Sequence, residues 1–191
     1  MTNFLIVLAV CFSSTVTADT EFSDFFNSFE TLSSGFTQQT YDDSNRLLTE
    51  TSGHLYFKRP ASFIWQTDTP IEQTLLLNNH ELWFIDTELE QASQRDMGDL
   101  KNTPLYWLIN RPEQLENLPQ YDHTESNINW YKTNQDNQLS FGFRNNKLST
   151  LKLTNPLGQK IQVIFSALML NPKLNKNTFV LDLDADFDVI R

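Results

Sequence analysis

Between residues 36 and 168 the sequence keeps returning to a period of two, apolar then polar, in short runs broken by turn-forming residues. Successive side chains of a strand point to opposite faces, so this pattern demands sheet with one buried face. The runs are 36–41, 47–58, 63–67, 74–77, 82–86, 129–132, 138–144, 147–154 and 160–168, with a possible last strand at 179–183. Asp42-Asp43-Ser44-Asn45, Asn78-Asn79-His80, Asn145-Asn146 and Asn155-Pro156-Leu157-Gly158 supply the turns between them. Asn tolerates positive φ and suits tight hairpins. Half-buried alternation joined by short turns fits antiparallel strands better than βαβ units. Some nine to eleven strands in one domain must curve or close, so the chain is expected to be mainly β within the α+β class, a curved sheet or barrel carrying helices.

Two segments read as those helices. In 19–34, Phe22, Phe25, Phe26, Phe29 and Leu32 fall on one helical stripe, with Asp19, Glu21 and Asp24 in the first turns, where the helix dipole favours acids. Residues 87–101 are polar and read as loop. Asn102-Thr103-Pro104 then starts a second helix, with Thr103 as cap, Pro104 at the first helical position, and Leu105, Trp107, Leu108 and Ile109 following. Arg111-Pro112-Glu113 opens another short turn.

The first eighteen residues stand apart. Residues 4–12 form an apolar run of nine, too short to span a bilayer, followed by Val16-Thr17-Ala18. This reads as a secretory signal peptide, 1–18, cleaved after Ala18 to leave a single domain, 19–191. The one cysteine, Cys11, lies inside that segment in a poor context for lipidation, so the exported chain has no disulfide to rely on. A formal net charge of −10 disfavours nucleic acid and anionic lipid surfaces as partners. The aromatic content is high, with 15 Phe, 4 Trp and 5 Tyr against 5 Gly. Either the core is built of rings, or some rings line something other than core.

Catalytic signatures are missing from the sequence. His54, His80 and His123 are scattered and have no metal-ligand spacing. With so few glycines a nucleotide cradle is hard to build, and no nucleophile-elbow or zincin motif occurs. The run from Asp182 to Asp188 imitates half a calcium loop but lacks its glycine, and reads instead as an edge with acids facing water. The expectation is a binding protein without enzyme activity, cofactor or metal.

The stretch Lys58-Arg59-Pro60-Ala61-Ser62-Phe63-Ile64-Trp65 carries the functional question. Alternation sets Leu55, Phe57 and Arg59 on one face, Pro60 ends the pairing, and Phe63 and Trp65 share a face of the next strand. An arginine at the rim of an aromatic bowl has five donors that rings alone do not satisfy. Helix C-terminal carbonyls are natural acceptors for it, which would make Arg59 a latch between sheet and helices. The plainer alternative is a surface arginine in a turn.

The segment from Gly53 to Trp65 resembles the G-x-L-x-x-K-R-P-x-x-F-x-W core of the LolA family of periplasmic outer-membrane lipoprotein carriers. Matches continue in order: Phe36-Thr37-Gln38 before it, then Pro70, Leu82-Trp83-Phe84 with Asp86, Glu90-Gln91, Asn102-Thr103-Pro104, and Phe187-Asp188-Val189-Ile190. The usual C-terminal Pro-x-Gly is absent, and Asn79-His80-Glu81 replaces a usual glycine turn. The resemblance implies an unclosed antiparallel β-barrel covered by a lid of short helices. The acyl-chain cavity is expected from Leu55, Phe57, Phe63, Trp65, Leu75, Leu77 and Trp83. The lid is expected from Phe22, Phe25, Phe26, Phe29, Leu105, Trp107 and Leu108, with Arg59 as its latch. It further implies a monomer that receives lipoproteins from the inner-membrane ABC transporter LolCDE and hands them to the outer-membrane acceptor LolB. A carrier or sensor of another lipid or glycolipid on the same fold is the alternative.

Overall fold

The structure, a computed structural model, describes residues 20–78, 81–96, 103–134 and 139–191. The expected signal segment, Cys11, the tip of the Asn79-His80 turn, Asn102 and part of the polar stretch before it lie outside the described residues.

Among the described residues, alternation becomes a single sheet of twelve strands. In chain order these are β1 (Thr31–Tyr41), β2 (Leu47–Lys58), β3 (Ser62–Thr69), β4 (Gln73–Asn78), β5 (Glu81–Asp86), β6 (Gln91–Arg95), β7 (Gln120–Glu125), β8 (Ile128–Lys132), β9 (Ser140–Arg144), β10 (Lys147–Thr154), β11 (Lys160–Leu170) and β12 (Asp188–Ile190). Across the sheet the order is β12-β6-β5-β4-β3-β2-β1-β11-β10-β9-β8-β7. All neighbours are antiparallel except β12, which lies parallel to β6. The two edge strands, β7 and β12, do not pair, so the strongly curved sheet stays unclosed.

Two helices, α1 (Thr20–Asn27) and α2 (Pro104–Ile109), cover the hollow side, and a 3-10 turn at Pro112–Gln114 follows α2. The inner face of the sheet meets them in one cluster. Leu55 and Phe57 of β2, Phe63 of β3, Leu77 of β4, Leu82 of β5, Phe141 and Phe143 of β9 and Leu151 of β10 pack there with Phe22, Phe25, Phe26 and Phe29. The rings meet mostly edge to face, as Phe22 does on Phe141 at 5.2 Å and Phe25 on Phe143 at 5.5 Å between centroids. That geometry lets a positive ring edge meet a negative face.

A second, smaller core forms on the outer face. After β11 the chain crosses behind the sheet, and Leu174, Phe179, Leu181, Leu183 and Phe187 pack onto Leu76, Trp83, Ala92, Tyr56, Ile64 and Ile85. Asp182, Asp184, Asp186 and Asp188 alternate outward into solvent along that crossing.

Four expectations need correction. The first helix ends at Asn27, not at 34, and Phe29 follows it in irregular chain while Leu32 is already in β1. Backbone pairing decides this: Thr31 opposes Lys58 and Leu32 opposes Phe57, and that ladder outweighs a helical spacing. The polar stretch 87–101 holds a strand, β6, whose one fully buried residue, Ala92, packs into the outer-face core. Residues 120–125, read as no element, form the exposed edge strand β7. The last strand is not 179–183, which packs as irregular chain on the outer face, but β12.

Candidate functional site: a lidded apolar cavity

Between the helices and the inner face of the sheet lies a cavity of about 330 Å³. The sheet supplies most of its wall, because period two gives each strand an inward row. Leu55 comes from β2, Phe63 and Trp65 from β3, Leu75 from β4, and Leu151, Leu153, Ile161, Val163 and Phe165 from β10 and β11. Phe26 of α1 and Leu105 and Leu108 of α2 form the roof. Trp65 stacks on Phe36 of β1 at 3.9 Å between centroids, which stiffens that wall. Among the described lining residues, Gln38 and Thr103 carry an amide and a hydroxyl, and apart from the Trp65 indole N–H the other side chains are apolar.

Arg59 sits where β2 ends, half-buried beneath both helical segments. Its Nη2 donates to the Phe26 carbonyl at 2.7 Å and its Nε to the Phe29 carbonyl at 3.2 Å. Its Nη1 donates to the Leu108 and Ile109 carbonyls at 3.0 and 3.1 Å. These acceptors belong to the C-terminal turns of α1 and α2 and to the residues just beyond, where carbonyls lack intrahelical donors and the dipole is negative. The guanidinium also lies over the Phe29 and Phe57 rings, 5.2 and 5.6 Å from their centroids. One side chain thus joins the end of β2 to both parts of the roof.

Burial is the main influence that lowers the Arg59 pKa, followed by the nearby Arg111; Glu30 and Glu113 act the other way. An arginine nevertheless remains a cation in any working pH range, so the clasp keeps its charge. Arg111 pairs with Glu30, which also fixes the chain next to the clasp. On the far side, Asn129 and Tyr131 donate to Glu21 at 3.0 and 3.2 Å and hold α1 to β8.

Leu55, Phe63, Trp65 and Leu75 line the cavity, as do Phe26, Leu105 and Leu108 from the roof. Phe57 and Leu77, both fully buried, stand behind the wall within the same core. Phe22, Phe25, Phe29 and Trp107 are buried in the roof and anchor it to the sheet without lining the hollow. Trp83 is a correction. It lies on the opposite face of the sheet, under Phe179, and takes no part in the cavity. Leu77 opposes Leu82 across the β4–β5 hairpin. Opposed residues share a face, so Trp83 goes with Leu76 to the outside.

The cavity wall from β9 to β11 was missed as a site. Its signal was present in the inward alternation of Leu151 and Leu153 and of Ile161, Val163 and Phe165, which reads equally well as plain core. Among the described residues no group of three or more His, Cys, Asp or Glu could hold a metal ion. No described helix is long and apolar enough to cross a membrane.

Residues 27–182 match the family model described as outer membrane lipoprotein carrier protein LolA. The chain belongs to the LolA family. Among its relatives, an outer-membrane lipoprotein carrier protein of Hahella chejuensis is 30% identical over 88% of this chain and 86% of its own length. A protein of the same description from Pseudomonas aeruginosa is 30% identical, covering 86% of this chain and 83% of its own. A third, from Idiomarina loihiensis, is 28% identical across 97% and 96%. The LolA match takes in every strand from β1 to β11, and with them Arg59, both walls of the cavity and α2.

Proposed function

We propose that the protein is a periplasmic carrier that takes up the acyl chains of lipoproteins released from the inner membrane and delivers them to an outer-membrane acceptor. In this reading LolCDE loads it and LolB unloads it, and residues 1–18 export it. The observation that carries the reading is the apolar cavity roofed by helices whose terminal carbonyls are held by Arg59. The relatives' description as outer-membrane lipoprotein carrier proteins supports it.

A carrier must bind strongly enough to keep acyl chains from aggregating and weakly enough to give them up. Each buried methylene contributes about 0.8 kcal/mol, so ten of them already reach about 8 kcal/mol. At about 330 Å³ the cavity is at the small end of ligand pockets, which run from about 300 to 1,000 Å³. A multiply acylated cargo therefore requires the roof to lift. Breaking the Arg59 hydrogen bonds opposes that lift and subtracts from the affinity, which leaves the cargo releasable. No covalent step is needed, and the protein acts as a chaperone, not as an enzyme.

Native mass spectrometry of protein purified from the periplasm without detergent tests this reading. Bound acylated polypeptide is the expected result. Bound glycolipid favours the carrier or sensor of another lipid. An empty protein that also refuses a synthetic triacylated lipopeptide overturns the proposal.

A further inference from the structure

We propose that Gln38 reads the linkage of the cargo's acyl chains, its side-chain amide donating a hydrogen bond to the ester or amide carbonyl at the head-group end of the chain. This deepens the carrier reading and rests on it.

Among the described lining residues, Gln38 and Thr103 bring an amide and a hydroxyl to the cavity. Thr103, at the N-terminal end of α2, has an interaction of its own within the protein. Gln38 has no side-chain partner among the described residues, although it is half-buried against apolar neighbours. Its sequence neighbour shows the contrast. Gln39, on the outer face of β1, donates to Glu50 at 2.7 Å and accepts from Tyr41 at 2.8 Å. An amide half-withdrawn from water without a partner costs free energy that Leu or Val at the same inward position would avoid. Val163, directly opposite Gln38 on β11, shows the side chain that plain packing favours there.

Position gives the amide its task. Leu32 and Gln38 both line the cavity and lie six residues apart on β1, about 20 Å by strand rise. Leu32 sits at the helix end, near Phe26. Gln38 sits toward the other end, where Leu153 and Ile161 also border a polar outer crevice that carries Lys132, Lys152 and Lys160. An acyl chain lying along this path has its methyl end under the roof and its carbonyl level with Gln38, and its polar remainder leaves through the polar end. The ligand class that follows is ester- or amide-linked acyl chains, as distinct from bare or ether-linked hydrocarbon.

The test uses displacement of a hydrophobic fluorescent probe from the purified full chain by two synthetic glyceryl-cysteine lipopeptides. One carries ester-linked hexadecanoyl chains and the other carries ether-linked hexadecyl chains. Wild-type protein is expected to bind the ester form about five- to tenfold more tightly, the worth of one net hydrogen bond. Gln38→Leu is expected to bind the two within about two-fold of each other. Gln38→Met keeps the length and removes the donor, so it gives the same readout if the leucine variant misfolds. An equal wild-type affinity for both ligands, or an undiminished ester preference in the variants, overturns the inference while leaving the carrier reading intact. Refusal of both ligands by the wild-type protein overturns the carrier reading and the inference with it.

Discussion

Arg59 shows how much one residue can hold. Four of its five guanidinium donors are spent on main-chain carbonyls of two separate segments, and none of the acceptors is a side chain. A lysine could not reproduce this, because it lacks the planar fork. Arg59→Leu is expected to shift the roof toward open by about 2 kcal/mol, close to thirty-fold in the open-to-closed ratio. Hydrogen exchange should rise by that factor in α2 while β1, β2 and β11 keep their protection. Equal protection of α2 in both proteins would remove the clasp from the account. Trp65 is the complementary case. It lines the hollow and is only partly buried, so Trp65→Gln should weaken binding of an acylated ligand about tenfold with little loss of fold stability. Equilibrium binding beside a urea melt separates this from a general loss of structure.

At the scale of elements, close approach of strands leaves particular positions without choice. A Cβ on Gly53 would lie 1.9 Å from the Gln66 carbonyl oxygen and 2.9 Å from the Thr67 Cα, both main chain of β3, at the register shift after Ser52. Gly53→Ala therefore forces β2 and β3 apart and should cost about 3 kcal/mol, read as a lower urea midpoint. The outer core behaves separately from the cavity. Trp83→Ala should destabilise by about 3–5 kcal/mol and expose 171–187 to protease, yet leave acyl-ligand affinity within about two-fold. A large loss of affinity with an intact C-terminal segment would mean that Trp83 communicates with the cavity.

Elements with clean alternation were legible before the structure. β2, β3, β4, β5 and β10 fall within a residue or two of where period two puts them. So do α2, opened by Pro104, and the shared inward face of Leu55, Phe57, Phe63 and Trp65. What escaped had a local pattern that pointed elsewhere. Phe29 and Leu32 continue the helical spacing of Phe22, Phe25 and Phe26, and only pairing with β2 shows that the chain has already become strand. β6, between β12 and β5, and the edge strand β7 are both polar, and neither carries an apolar row to betray it. Trp83 was misplaced because both faces of β5 are buried. The outer face is covered by a segment nearly a hundred residues downstream, which no local window can see. Arg59 as a clasp was one of two local readings, and it is the distant carbonyls of Leu108 and Ile109 that distinguish them.

The whole molecule is a curved sheet with unlike faces. Its inner face is only partly filled, so that a hollow remains under a roof held by one cation. Its outer face is covered across β2 to β6 by the returning C-terminal segment. In the proposed carrier that division separates stability from binding: the outer core and the strand ladder keep the sheet folded when the roof lifts. A formal net charge of −10 favours solubility of the surface around that hollow. The most direct measurement is hydrogen exchange of the delipidated protein before and after addition of one equivalent of a synthetic triacylated lipopeptide. Uptake into the hollow predicts a one-to-one complex in which exchange at α2 and the end of α1 speeds up as the Arg59 hydrogen bonds break, while amides of β3, β10 and β11 become more protected. A complex that leaves α1 and α2 unchanged and protects only the outer face would contradict it.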